Sequence, residues 1–248
     1  MMLKEQRLDV ILKEVNSKGA ASLKELAKLT QASISSIRED VAELDKQKLL
    51  KRVHGGAYSL NNNSSANDVE YESRSNIELD AKIKLATKAN EFVQDNLLIF
   101  IDSGTTTHQL AKLINNKNVT IVTNSINVAT ELKSHSNVTT ILIGGLLKSN
   151  TFNVVGSLAL DNLKNFNFDI GFIGANGYSN NLGFTTPEIN ESLFKKEAIL
   201  KCKKSYILLD KTKINSEFKY TFATNNKNIT LITNYKKKDL NLENIIEV

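Results

Sequence analysis

Six compact apolar runs, each rich in Ile, Leu, Val or Phe, limit what this chain can fold into: Leu97 to Ile101, Val119 to Val122, Thr139 to Ile143, Asp169 to Ile173, Ser205 to Leu209 and Ile229 to Ile232. Helical stretches lie between and before them, the first over Glu78 to Val93. Short unbroken apolar strands alternating with helices describe an α/β unit with a largely parallel sheet. Small polar residues follow the runs: Asp102-Ser103-Gly104-Thr105-Thr106-Thr107, Thr123-Asn124-Ser125, Gly144-Gly145, Gly174-Ala175-Asn176-Gly177 and Asp210. Ligands of open α/β sheets bind outside the carboxyl ends of the strands. The loops are therefore expected to converge on one crevice.

The loop from Asp102 to Thr107 leads into a helix carrying Leu110, Ala111 and Ile114. Glycine lets the backbone approach an anion, and the hydroxyls of Thr105, Thr106 and Thr107, with the unpaired amides of a helix start, can donate to phosphate oxygens. The plainer alternative is that Ser and Thr cap the helix and Gly104 permits the turn. No Gly-Lys-Ser/Thr follows, and Gly171-x-x-Gly174-x-x-Gly177 lacks the spacing of a dinucleotide fingerprint. Neither nucleotide hydrolysis nor a resident cofactor is expected, and the loop suits a phosphorylated metabolite. Lys195, on a helix expected from Glu188 onward, and Lys213, three residues past Asp210, offer compact charges for phosphate. Glu191 and Lys195 equally make an i to i+4 surface pair worth about 0.2 to 0.5 kcal/mol. For Lys195 by itself the surface pair is the better reading.

At 248 residues and 41% apolar composition the chain can bury more than one core. No apolar run approaches the length of a membrane span, and the first thirty residues mix charges with single leucines, so a soluble, cytoplasmic protein is expected. A single cysteine, Cys202, and three scattered histidines exclude an internal disulfide and offer no paired metal ligands. The net charge is +5, and residues 1 to 57 hold 11 Lys and Arg against 8 Asp and Glu. A polar stretch from Ser59 to Asn67 cannot support a core. It divides the chain into a head over 1–58, a linker over 59–75 and a body over 76–248. The run Lys236-Lys237-Lys238 reads as a solvated turn.

In the head, Leu3, Leu8, Ile11, Leu12 and Val15 recur at helical spacing, and Gly19 is placed to end that helix. Ser22, with Glu25 three residues on, caps a second helix, and Ser33 caps a third with Ile37, Val41 and Leu44 on one seam. Two short helices joined by a tight turn suggest a helix-turn-helix. The opposite face of the third helix shows Ser35, Ser36, Arg38 and Glu39 near the N-terminal end, the end of a recognition helix that meets bases and phosphates. Lys51 to Tyr58 reads as a hairpin around Gly55-Gly56 with cations on its first arm, a wing. Three amphipathic helices could instead form a dimerisation or docking bundle, because periodicity does not say what the polar face touches.

The residues Ser33-Ile34-Ser35-Ser36-Ile37-Arg38-Glu39-Asp40-Val41, then Leu44, then Arg52-Val53-His54-Gly55-Gly56-Ala57 resemble the winged helix-turn-helix of the DeoR family of bacterial transcription regulators. Where the family has Thr-Ile-Arg-Arg-Asp-Leu, Ser36 replaces the threonine and Glu39 reverses the charge of the second arginine. Asp102-Ser103-Gly104-Thr105-Thr106, Thr123-Asn124-Ser125, Ile143-Gly144-Gly145, Gly156-Ser157, Gly171 to Ala175, Gly183-Phe184-Thr185, Glu188, Lys195 and Asp210-x-x-Lys213 look like that family's effector domain in matching order. The resemblance implies a regulator, a repressor of a carbohydrate operon, in which Ser33, Ser35, Ser36, Arg38, Arg52 and His54 meet double-stranded operator DNA. It also implies that Asp102, Gly104, Thr105, Thr106, Thr107, Thr123, Asn124, Gly144, Lys195 and Lys213 meet a phosphorylated sugar, within a homo-oligomer, a dimer or tetramer. The rival reading is a sugar-phosphate isomerase with an accessory head, Asp102 and Asp210 serving as acid and base and Lys213 steadying an enediolate.

Overall fold

The computed structural model describes residues 2–18, 20–53, 55–59, 71–115 and 118–248. His54, Gly19 and the linker stretch 60–70 lie outside the described residues. The chain divides into two compact units, Met1–Leu79 and Asp80–Val248.

The first unit runs α1 (Lys4–Lys18), β1 (Ala20–Ser22), α2 (Leu23–Thr30), α3 (Ile34–Lys46), β2 (Leu50–Val53), β3 (Gly56–Ser59) and α4 (Tyr71–Ser75). Ser22 caps α2 as the spacing predicts: its hydroxyl accepts from the Glu25 amide, and the Glu25 carboxylate accepts from the Ser22 amide. Ser33 caps α3 by accepting from the Ser36 amide. Ile37, Val41 and Leu44 form the buried seam of α3 and meet Ile11, Val15, Leu26 and Leu50. An ion pair locks α3 onto α1, where the Arg7 guanidinium forks onto the buried Asp40 carboxylate, Nη2 lying 3.1 Å from Oδ1. The hairpin β2–β3 is joined by β1, which sequence reasoning did not anticipate, in the order β1-β3-β2, all antiparallel. The glycine pair has two separate causes. Gly55 takes φ +105°, and at Gly56 a Cβ would stand 2.4 Å from the Ala21 carbonyl oxygen.

The second unit continues with α5 (Leu79–Asn90), β4 (Leu98–Ile101), α6 (Thr105–Leu113), β5 (Val119–Thr123), α7 (Ile126–Leu132), β6 (Val138–Leu142), β7 (Leu146–Lys148), β8 (Asn153–Val155) and α8 (Ser157–Leu163). It ends with β9 (Phe168–Gly174), β10 (Gly177–Ser179), β11 (Gly183–Thr186), α9 (Ile189–Leu200), β12 (Cys202–Leu209), β13 (Tyr220–Ala223), β14 (Ile229–Thr233) and β15 (Ile245–Glu247). Among the described residues seven strands form one parallel sheet in the order β15-β14-β12-β9-β4-β5-β6. All six apolar runs are strands of it. Alternation along β4 feeds two cores: Ile99 and Ile101 pack with Leu85 of α5, Leu110 of α6 and Val128 of α7, whereas Phe100 packs with Leu163 of α8 and Phe194 of α9. The sheet is therefore covered on both faces. Two small antiparallel additions carry no strong sequence signal, the hairpin β7–β8 and the sheet β10-β11-β13.

Strand order reverses direction between β4 and β9, because the chain builds β5 and β6 to one side of β4 and then crosses to lay β9 and its successors on the other. That reversal opens a crevice at the carboxyl ends of those two strands.

Candidate functional site

In the first unit, Ser33 at the cap of α3, Ser35 and Arg38 on α3 and Arg52 on β2 are exposed, and Ser36 is partly so. Arg38 and Arg52 line one groove of about 560 Å³ with Leu23, Asp45, Val53 and Gly55, so the start of α3 and the hairpin present their cations together. Asp45 lines the same groove, and its carboxylate accepts from the Arg52 amide at 3.2 Å. Glu39 is exposed on the same helix beside Arg38. The Ser33 and Ser36 hydroxyls lie 2.9 Å apart, which ties these two candidates to the helix start.

In the second unit the polar residues gather at the switch point. Asp102, one residue past β4, is buried, and its Oδ2 accepts from the Gly174 amide of β9 at 3.0 Å and from the Lys195 ammonium of α9. Lys195 also donates to the Gly174 carbonyl at 3.1 Å, and its ammonium lies 5.8 Å from the centre of the Phe222 ring. Burial pushes the Asp102 carboxyl above the usual carboxylate range, opposed by the Lys195 ammonium and then by the Gly174 amide. The side chains are 1% and 6% exposed. This overturns the reading of Glu191 and Lys195 as a surface pair. Both are buried and their heads part company, since α9 turns Lys195 toward β4 and Glu191 toward the β7–β8 hairpin.

Glu191 is the centre of a second cluster that sequence reasoning did not place in the site. Its Oε1 accepts from Lys148 of β7 at 3.1 Å and from Asn153 of β8 at 2.9 Å. The Thr186 hydroxyl lies 3.2 Å from Glu191 Oε2 and 3.1 Å from Asn176 Oδ1. Asn153 also donates to the Ser103 hydroxyl at 3.2 Å, while the Ser103 amide donates to Asn124 Oδ1 at 3.2 Å. The loops after β4 and β5, the hairpin and α9 are thus joined by one chain of hydrogen bonds. Lys148 could have been noticed as the cation that ends the uncharged stretch Val138 to Leu147. Asn153 and Thr186 carry no comparable signal.

Gly104 precedes α6 without a side-chain cap. The amides of Gly104, Thr105 and Thr106 and the hydroxyls of Thr105 and Thr106 meet no hydrogen-bond partner among the described residues. A set of donors converging at a helix start suits an anion. The other candidates do different work. Thr107 is buried and donates to the Gly104 carbonyl at 3.0 Å, closing the turn. Thr123 accepts from the Ser125 amide at 3.0 Å, and Asn124 bonds Val154 as well as Ser103. Gly144 lies past β6 with its carbonyl accepting from Asn162. Lys213 follows β12 on a single 3₁₀ turn capped by Asp210, its ammonium 3.9 Å from that carboxylate. Among the described residues no group of His, Cys, Asp and Glu could hold a metal ion, and no helix is long and apolar enough to cross a membrane.

Residues 7–63 match the DeoR-like helix-turn-helix domain and residues 77–235 the DeoR C terminal sensor domain. An uncharacterized HTH-type transcriptional regulator, FruR of Bacillus subtilis, is 33% identical over 94% of this chain and 91% of that protein. The HTH-type transcriptional regulator IolR of Bacillus subtilis is 31% identical over 89% of this chain and 87% of its own. The lactose phosphotransferase system repressor of Streptococcus mutans is 30% identical over 96% of this chain and 95% of its own.

Proposed function

Because the chain belongs to the DeoR family of bacterial transcription regulators, we propose that it represses a carbohydrate operon and is controlled by a phosphorylated sugar or related metabolite bound in its second unit. It is a DNA-binding regulator, not an enzyme. The repressor names carried by relatives such as that of Streptococcus mutans support the carbohydrate reading. In this assignment residues 1–58 are the DNA-binding domain, 59–75 the linker and 76–248 the sensor, and the protein works in the cytoplasm where its operator is.

The observation that carries the metabolite reading is the set of uncommitted donors at Gly104, Thr105 and Thr106, beside the crevice where Asp102 and Lys195 meet. These donors receive the phosphoryl oxygens. Lys195 is already held by Asp102 and Gly174, so its part is to fix the loop, and its charge is balanced by the Asp102 carboxylate. Glu191, Asn153 and Thr186 line the same crevice with groups that can exchange their mutual hydrogen bonds for sugar hydroxyls. In the head, Arg38 and Arg52 contact phosphates or base edges from one groove, with Ser33, Ser35 and Ser36 at the start of the same helix; His54, from its place in the sequence between the arms of the hairpin, is a further candidate. Paired half-sites call for an even homo-oligomer, and a metabolite that favours one arrangement of two heads changes operator occupancy about 5 to 150-fold for couplings of about 1 to 3 kcal/mol.

The isomerase reading is disfavoured by the site itself. The Asp102 side chain is held by Lys195 and Gly174, and Asp210 caps the turn at Thr212, so both are committed to partners within the fold. A thermal-shift screen against pentose and hexose phosphates, paired with operator binding by fluorescence anisotropy, tests the reading. Thr105→Ala with Thr106→Ala should abolish the metabolite shift and keep operator binding, and Arg38→Ala should do the reverse. A chain that no sugar phosphate stabilises, or a single variant that loses both functions while folded, would overturn it.

A further inference from the structure

One edge of the second unit is apolar and uncovered. Strand β6 ends the parallel sheet, so one side of its backbone has no neighbouring strand among the described residues. Residues 138–147 contain no charged side chain, in a chain of which 24% is charged. Natural proteins blunt such edges with lysine, proline or a bulge, and this edge has none of them. Leu142 is 43% exposed, Leu146 67%, Leu147 52% and, at the start of α8, Leu158 61%. Ile141 and Phe152 are partly exposed beside them, and a Cβ on Gly156 would lie 3.7 Å from Leu146, so the loop before α8 abuts β7. Half-exposed side chains of this number present on the order of 500 Å² of apolar surface, the level at which a patch on a monomer is usually functional.

We propose that the β6 edge, the exposed leucines of β7 and the start of α8 form the surface on which a second copy of this chain docks, the two β6 edges meeting about a two-fold axis. Nucleic acid is a poor occupant of an uncharged face, because its affinity comes from cations. A face without charge also offers a charged partner no complement. A self-complementary contact closes after two copies and leaves no open edge, and the core of a homodimer interface is more apolar than the remaining surface. The patch supplies much of the roughly 800 Å² per partner of a specific pair. This inference rests on the regulator reading only for the need of paired heads. The hairpin that carries Leu146 and Leu147 also carries Lys148 and Asn153 into the crevice, so the interface and the metabolite share one element.

Sedimentation velocity of the full chain, without DNA or metabolite, tests it. The protein should sediment at twice its 27.6 kDa or more. Leu146→Glu with Leu158→Glu, both at exposed positions, should weaken self-association at least tenfold, and Leu142→Lys should weaken it at the strand edge. Leu200→Glu, on α9 outside the patch, should leave it unchanged. A monomeric parent, a double variant that associates as the parent does, or an equal loss in Leu200→Glu overturns the proposal. Association lost in the patch variants by a chain that ignores sugar phosphates would instead sink the metabolite reading and leave the docking surface standing.

Discussion

The two candidate sites are built in opposite ways. On α3 and β2 the cations Arg38 and Arg52 stand in water on a surface whose own core is elsewhere. In the crevice Asp102 with Lys195, and Glu191 with Asn153, are buried and bonded as pairs that join residues from distant elements. The difference follows from the size of the partner. A duplex brings its own rigid lattice of phosphates, so a protein need only hold cations at the right spacing. A small metabolite has to be surrounded, and donors that surround it must be fixed before it arrives. Substitutions in the crevice should therefore cost stability first, and substitutions on the head should cost affinity first.

The largest effect is expected at the buried pair. Lys195→Met leaves the Asp102 carboxylate with the Gly174 amide alone, and breaking such a pair typically costs about 3 to 5 kcal/mol. Urea unfolding should show that loss in the second unit, and an unaltered midpoint would mean that the pair does not clamp α9 to the loop after β4. Next comes the head's own ion pair. Asp40→Ala strands the Arg7 guanidinium, which is 16% exposed and can regain water, so about 2 to 3 kcal/mol is expected from the lost charge-assisted bonds. If Asp40→Ala proved as costly as Lys195→Met, the contrast between an open head and a closed crevice would fail.

How much of this was visible beforehand differs between the two regions for a physical reason. The head's caps at Ser22 and Ser33, its seam and its hairpin depend on residues within a few positions of one another, and local chemistry is written locally. Five of the six apolar runs were equally readable because they are interior strands buried in the sheet, and the edge strand β6 was readable from its run of Val138, Thr139, Thr140 and Ile141, residues that favour strands. The crevice was not, because its decisive contacts join residues far apart in sequence. Lys195 meets Asp102 across 93 positions, and from α9 alone it looked like the partner of Glu191. The three-residue strands β7 and β8 are too short for a period of two to register, so Lys148 and Asn153 went unplaced.

On the exposed side of the comparison, Arg38→Ala should leave the unfolding midpoint within about 0.5 kcal/mol of the parent. Operator affinity should fall by about 1 to 3 kcal/mol if the guanidinium reads a base edge. If it holds a phosphate instead, the salt dependence of binding should lose about one unit of slope. Fluorescence anisotropy across a salt series separates the two. A variant that is unstable and still binds DNA normally would place Arg38 among structural residues and remove the contrast.

The smallest effect concerns pH, and it probes the crevice side through α6. His108 lies one turn past Thr105 and 3.2 Å from Glu131 of α7, and burial, with Lys112 beside it, holds its pKa below the ordinary 6.5 despite that carboxylate. The neutral ring is therefore favoured in the folded state. Between the folded and the ordinary value the unfolded chain binds more protons, so stability rises with pH across that window and falls as pH drops below about 6.5. His108→Gln removes the titrating group and should flatten that part of the stability curve while leaving the slope at lower pH, where carboxylates titrate. Chemical unfolding of parent and variant at a series of pH values from 5 to 8 measures the difference. A parent curve that rises on acidification through this range would mean that Glu131 outweighs burial at His108, and that the helix opening at the anion loop is braced by a charged pair.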